Sequence, residues 1–344
     1  MRSQPPLAHA GCSTRRVSMH TRDAPMQYLA KVYRIIARNT TMVFNIAKIA
    51  PLYRKVRAAV ANGSTPKTDQ MAAKLLEVWL GDKVYESGMY MYVDSKGNVG
   101  IETNEKPKRE GDVRFVILSD THECHRLLSV PRGDVLVHAG DFLMMNALFG
   151  REASVQKIED FNDWLGTQPH KEKFVICGNH DTGAASLGRE KLAGMFSNAT
   201  YLENEVAHLR CGVSIFGTPA SKRNSPFSPN DAFQYSPEEL QNIIDNIPGK
   251  VDVIVSHGPP NDLEPLNNYI SQYNPKLCIF GHTHERNTSL TNGEYFGDSK
   301  SSEATLGLNG ATIGKNFNPS QLPIVYDYKV DFMPAEDRFA TSKL

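Results

Sequence analysis

The spacing of apolar residues changes character twice along this chain. From Met26 to Ala61 it is helical: Leu29, Val32, Tyr33 and Ile36 share one face, with Lys31, Arg34 and Arg38 away from it. Residues 1 to about 25 are rich in Arg, Ser and Pro and read as disordered. Asn62 to Pro66 is a turn-rich linker. Asp69 can cap a short helix to Leu80. Met89 to Val93 and Val99 to Glu102 alternate as a hairpin around Ser95-Lys96-Gly97-Asn98. Asn104 to Asp112 is charged, carries Pro107, and reads as a boundary.

Beyond it, short continuous apolar runs alternate with helical patterns. The predicted strands are Val113–Leu118, Val135–His138, Phe174–Cys177, Val213–Phe216, Val251–Val255 and Leu277–Phe280. Runs apolar at every position suit strands covered on both faces. Val155, Ile158, Phe161, Trp164 and Leu165 mark one intervening helix. Ser236 as cap, Pro237, Glu238 and Glu239 in the first turn, then Leu240, Ile243, Ile244 and Ile247, mark another. The segment from Thr182 to Gln234 is less regular and includes a loop from Ser221 to Pro229. The expected class is α/β, with a mostly helical N-terminal extension over residues 1–111, a main domain over 112–330 and a C-terminal tail over 331–344.

Charge and cysteine content narrow the setting. The chain has 38 basic and 38 acidic residues, so no global charge points to nucleic acid. Between Arg2 and Val60, however, the basic residues are opposed by Asp23 alone. Three readings stay open for this stretch: a helix packed on the main domain, a helix lying on an anionic membrane surface, and an organelle-targeting peptide. Thr41 to Tyr53 is too short to span a bilayer, and the first residues lack a secretory apolar core. Five cysteines, an odd number with no C-x-x-C, suit a reducing, intracellular and cytoplasmic location.

The candidate chemistry lies at the ends of the predicted strands. Asp120-Thr121-His122, Gly140-Asp141, Gly178-Asn179-His180-Asp181, Ser256-His257-Gly258 and Gly281-His282-Thr283-His284 each follow an apolar run. Singly, each can be a turn, a helix cap or a packed histidine. Together, ligands at strand carboxyl ends meet along one edge of an α/β sheet, where such sheets bind ligands. Imidazoles with hard oxygens suit Mn²⁺, Fe, Zn²⁺ or Co²⁺ better than Ca²⁺. Two such ions about 3.5–4 Å apart can hold one hydroxide between them and lower its pKa. His138, inside an apolar strand, reads as a packed histidine, and His125 as a surface one. Cys124 lies close enough to His122 in sequence to be a metal neighbour.

The order of these motifs resembles the calcineurin-like metallophosphoesterase superfamily over roughly Val113 to Tyr328, and more finely its class III phosphodiesterase-like branch. Ile117 to His122, Gly133 to Phe142, Phe161 to Gly166, Ser256 to Pro260, Phe280 to Glu285 and Pro323 to Asp327 carry the likeness. The resemblance implies a four-layer α/β-β/α sandwich and two divalent metal ions. Asp120, His122 and His284 would bind one ion, Asn179, His257 and His282 the other, and Asp141 both. A metal-bridging hydroxide would attack phosphorus, with His180 protonating the leaving oxygen. Asp181 would either orient the His180 imidazole or cap the next helix. Asn309 matches a late strand of the branch without a catalytic role.

Protein Ser/Thr phosphatases resemble the chain at the metal residues but carry arginines where Phe142 and Cys177 stand. Without that clamp for a dianion, a phosphodiester is the expected substrate, with a nucleotide-like ester stacking on Phe227, Phe233 or Tyr235 as an extension. A phosphomonoesterase and a non-catalytic metal-binding scaffold are the alternatives.

Overall fold

The computed structural model describes residues 88–144, 151–223, 228–284, 294–296, 304–313 and 321–330. They fall within the compact unit Glu77–Leu344. The sequence readings before Gly88 and after Val330, including the basic helix, lie outside these residues. Among the described residues no helix is long and apolar enough to cross a membrane.

Thirteen strands among these residues form two sheets. The first has seven: β1 (Tyr90–Val93), β2 (Val99–Glu102), β3 (Val113–Leu118), β4 (Val135–Ala139), β5 (Glu172–Ile176), β6 (Thr200–Tyr201) and β13 (Ile324–Tyr328), in the order β2-β1-β13-β3-β4-β5-β6. The second contains β7 (Glu205–His208), β8 (Ser214–Thr218), β9 (Val253–Ser256), β10 (Leu277–Phe280), β11 (Glu294–Phe296) and β12 (Thr305–Asn309), in the order β11-β12-β10-β9-β8-β7. Strands β3 to β6 run parallel, as do β8, β9, β10 and β12. Five α-helices among the described residues accompany them: α1 (Arg151–Thr167), α2 (Thr182–Ala185), α3 (Arg189–Met195), α4 (Pro237–Asp245) and α5 (Glu264–Tyr273).

The period-two geometry of a strand explains the layers. On the first sheet Val116, Leu118, Leu136 and Val175 pack with Ile158, Phe161 and Leu165 of α1 and Leu192 of α3. On the second, Phe216, Ile254, Cys278 and Phe280 pack with Leu240 and Ile244 of α4 and Leu266 and Ile270 of α5. The alternate positions, Phe115, Ile117, Val137, Ile215, Val253, Val255 and Ile279, are equally buried. They lie between the sheets: a Cβ at Gly217 on β8 would meet Ile176 of β5, and one at Gly310 after β12 would meet Ile117 of β3. The result is the helix–sheet–sheet–helix arrangement, and it is why these strands read as unbroken apolar runs.

The hairpin assigned to the N-terminal extension is instead an edge of the first sheet. β1 pairs in parallel with β13, and a buried ion pair ties the join. Arg114 on β3 donates to both carboxylate oxygens of Asp327 on β13 at 2.7 and 2.8 Å, and Tyr92 on β1 donates to Asp327 at 3.0 Å. The first sheet therefore extends ahead of the boundary expected at residues 111–112. Helix α4 starts as its residues demand, with a reciprocal capping box between Ser236 and Glu239 and Pro237 in its first turn.

Candidate metal centre

Each parallel strand of the central motif set ends in a sharp turn carrying a ligand-type side chain. Asp120 (φ 52°), His122 (39°), Asp141 (55°) and His282 (65°) all occupy the left-handed backbone region. Such conformations cost of order 1–3 kcal/mol each for non-glycine residues, and they concentrate at functional sites. The turns interlock. The Asp120 N–H donates to the Gly140 carbonyl at 2.9 Å, the His122 N–H to the Asp141 carbonyl at 3.0 Å, and the Gly281 N–H to the His257 carbonyl at 2.9 Å. The His282 N–H donates to the Asp120 carboxylate at 2.9 Å. Glycine is required where the turns meet. A Cβ at Gly178 would be driven into the Asp141 carboxylate and the His257 ring, and one at Gly281 into Ser119 and Asp120.

The side chains form joined groups. Asp120, His122 and His284 have ligand-type atoms within 4.8 Å of one another; so do Asp141, His257 and His282, and so do His122, Asp141 and His180. His284 Nε2 is 3.1 Å from Asp120 Oδ1 and 3.3 Å from His122 Nε2. Asn179 Oδ1 is 2.8 Å from His282 Nδ1 and 3.1 Å from His257 Nε2, which is itself 3.2 Å from Asp141 Oδ2. All seven sequence-derived ligand residues are thus gathered, with His180 beside them. Cys124 belongs to none of these groups.

The donor set fits a cation. Separations near 3 Å between ligand atoms are those that metal–ligand bonds of about 2.1 Å produce. His122 and His257 each turn Nδ1 to a main-chain carbonyl, Leu143 at 3.0 Å and Ala139 at 2.9 Å, so Nε2 faces the cluster. Burial holds His122 down at about 4, so its imidazole is neutral near neutral pH. His257 is also opposed by burial, but the adjoining Asp141 carboxylate outweighs it and lifts the imidazole to about 9. With acceptors at both nitrogens, that ring needs a second proton or a cation. Burial opposes ionisation of Asp120, yet His284 and His257 pull it down to about 2.

Asp181 stands at the N-cap position of α2, but its carboxylate is engaged elsewhere. Its Oδ2 accepts the N–H groups of Asp141 and Gly178 at 2.9 and 2.8 Å, and its Oδ1 that of Leu143 at 2.8 Å. It makes no side-chain cap bond to α2. Fully occupied by main-chain donors, the carboxylate clamps the loop that presents Asp141 against the loop that presents Asn179 and His180. His125 is likewise corrected: it is buried, its Nε2 is 3.0 Å from Asp160, and its ring meets Phe161 and Trp164. His138 is packed as expected, and its Nε2 holds Thr121 Oγ1 at 3.0 Å beneath the Asp120–His122 turn.

Three residues had no site role in the sequence reading. Asn309 donates to the Thr283 carbonyl at 2.8 Å, and Gln321 donates to the His284 carbonyl, so both support the last histidine turn. Asn230 Nδ2 lies 3.1 Å from His180 Nε2. Only Asn309 stood in a motif that could have flagged it. Phe233 and Tyr235 pack against the cores, and Phe227 lies outside the described residues.

Two facing sheets with His/Asp groups gathered at strand carboxyl ends define a metallophosphoesterase domain. The chain belongs to the calcineurin-like phosphoesterase family, whose model matches residues 113–286. It is 29% identical over 259 residues to a UPF0046 protein of Caenorhabditis elegans, spanning 65% of this chain and 83% of that one. It is also 29% identical over 260 residues to human metallophosphoesterase domain-containing protein 1, spanning 65% and 73%. A solved protein of Thermus thermophilus, TT1561, superposes with a TM-score of 0.36 at 11% identity, covering 52% of this chain and 85% of that one.

Proposed function

We propose that this protein is a phosphodiester hydrolase that works with two divalent ions. Asp120, His122 and His284 would hold one, Asn179, His257 and His282 the other, and Asp141 would serve both. When bound, such a pair supplies an activated water and neutralises charge on the phosphoryl oxygens. The observation that supports this best is Asp141: it shares one group with His257 and His282 and another with His122, which itself belongs to the group of Asp120 and His284. A carboxylate between the two sets offers two oxygens and offsets the repulsion of two cations.

His180 is the candidate acid. Its main-chain N–H donates to Asp141 Oδ1 at 2.8 Å, and its ring meets that of His122 edge-on at 4.7 Å. Burial pushes the imidazole below its usual range. A phosphoester anion beside it would act in the opposite direction, favouring the protonated ring when the leaving oxygen needs a proton.

Diester preference is supported by Phe142 and Cys177. Both side chains are buried in the first core, and Phe142 stacks on Phe161 at 4.6 Å. Neither position offers a cation to a phosphate dianion. A nucleotide-like ester gains no support from Phe233 and Tyr235, which face the cores. The test is the ratio of kcat/KM for an aryl phosphodiester to that for the matching monoester, using metal-reconstituted protein. A ratio above one is expected; a ratio below one would replace this reading with a phosphomonoesterase.

A further inference from the structure

We propose that Asn230 is the positioning residue that sets the resting orientation of His180 and, through its main chain, that of Asn179. The assignment rests on the functional reading above for its consequence but not for its geometry. Asn230 lies in the segment between β8 and α4, 50 residues from His180 in sequence. Its side-chain Nδ2 is 3.1 Å from His180 Nε2. With the amide in this orientation Nδ2 donates, the imidazole accepts there with a lone pair, and the ring proton resides on Nδ1. The Asn230 main-chain carbonyl receives Asn179 Nδ2 at 3.4 Å and Gln234 Nε2 at 3.2 Å.

The second contact decides which end of Asn179 faces the metal groups. A carbonyl only accepts, so the Asn179 amide must turn its NH₂ toward Asn230. That leaves Oδ1, the ligand-type atom, toward His257 and His282, where it is found. The Ala232 N–H donating to the Asn179 carbonyl at 3.4 Å adds a second strap from the same loop. One loop residue therefore orients the candidate acid with its side chain and a candidate ligand with its backbone. Asn230→Ala removes the first function and keeps the second.

The experiment compares zinc-loaded, full-length wild type with Asn230→Ala and Asn230→Asp. Long-range proton–nitrogen spectra of the imidazoles report the His180 tautomer without any need for turnover. Wild type is expected to show the proton on Nδ1, Asn230→Ala a mixture, and Asn230→Asp, which presents only acceptors, the proton on Nε2. A wild-type proton on Nε2, or a tautomer indifferent to both substitutions, would overturn the assignment. Because these spectra need no activity, they separate its failure from failure of the phosphodiesterase reading. In turnover, kcat of Asn230→Ala should fall about 10-fold or more at nearly constant KM and unchanged metal content. In a His180→Ala background the same change should have no further effect. A persisting effect there, or a loss of metal in Asn230→Ala, would show that Asn230 acts on substrate or metal rather than through His180.

Discussion

Asp181→Asn separates three roles that a carboxylate at this position can play. The buried side chain takes three main-chain N–H groups, from Asp141, Gly178 and Leu143, at 2.8–2.9 Å. An asparagine in the same pose keeps one acceptor oxygen. That oxygen can retain the Asp141 and Gly178 donors, but the amide NH₂ then confronts the Leu143 N–H. One buried donor left without an acceptor costs about 1–3 kcal/mol. The remaining two bonds weaken on losing the charge, while relief of desolvation and of repulsion from Asp141 offsets that weakening. The expected loss is therefore about 1–3 kcal/mol of unfolding free energy, read as a lower urea midpoint at constant m in metal-stripped protein. The Asp141 and Gly178 main chains also lose their clamp, so metal affinity should fall about 10- to 100-fold. An unchanged midpoint and unchanged metal affinity, accompanied by lost turnover, would refute the clamp and return Asp181 to the His180 imidazole.

Other perturbations test neighbouring parts of the site. His180→Ala should retain metal content by elemental analysis while turnover falls roughly 10²–10⁴-fold; near-normal turnover would remove His180 as the acid. Asp141→Asn should weaken both metal equivalents together in a titration, and loss of one alone would contradict a shared ligand. Gly178→Ala should abolish metal retention on dialysis, because its Cβ has no room beside Asp141 and His257; full retention would show that those turns are not close-packed. Metal-stripped protein should be most stable near pH 6.5. His257, raised to about 9, contributes fully below 6.5 and loses its contribution as pH rises through 9. His122 and His138, lowered by burial to about 4 and about 3, contribute above 6.5 and lose that as pH falls through those values. Unfolding midpoints that climb steadily from pH 6.5 to 9 would contradict the His257–Asp141 pairing.

The strands and the gathered ligands were legible because both follow from short-range rules. Val113–Leu118 and Leu277–Phe280 have the bounds their apolar runs imply. A parallel sheet then brings the residues after each strand to one edge. The hairpin at Tyr90–Glu102 was recognisable as a hairpin but not as part of the sheet, since its partner β13 lies more than 200 residues away. His125 read as a surface residue; its burial comes from Phe161 and Trp164 of α1, which no local pattern announces. Asp181 was attributed to its sequence neighbours, whereas two of its three donors come from the loop forty residues earlier. Asn230 and Gln321 act through long-range contacts from irregular segments, where residue type alone carries little signal.

The most direct test of two-ion phosphodiester hydrolysis is a titration of metal into stripped protein, with bound metal and aryl phosphodiester cleavage followed in the same samples. Two equivalents should bind with Mn²⁺, Zn²⁺, Fe²⁺ or Co²⁺, and diester cleavage should rise with occupancy of the second. Two bound equivalents with no cleavage for any of these ions, or full cleavage in the absence of metal, would contradict it.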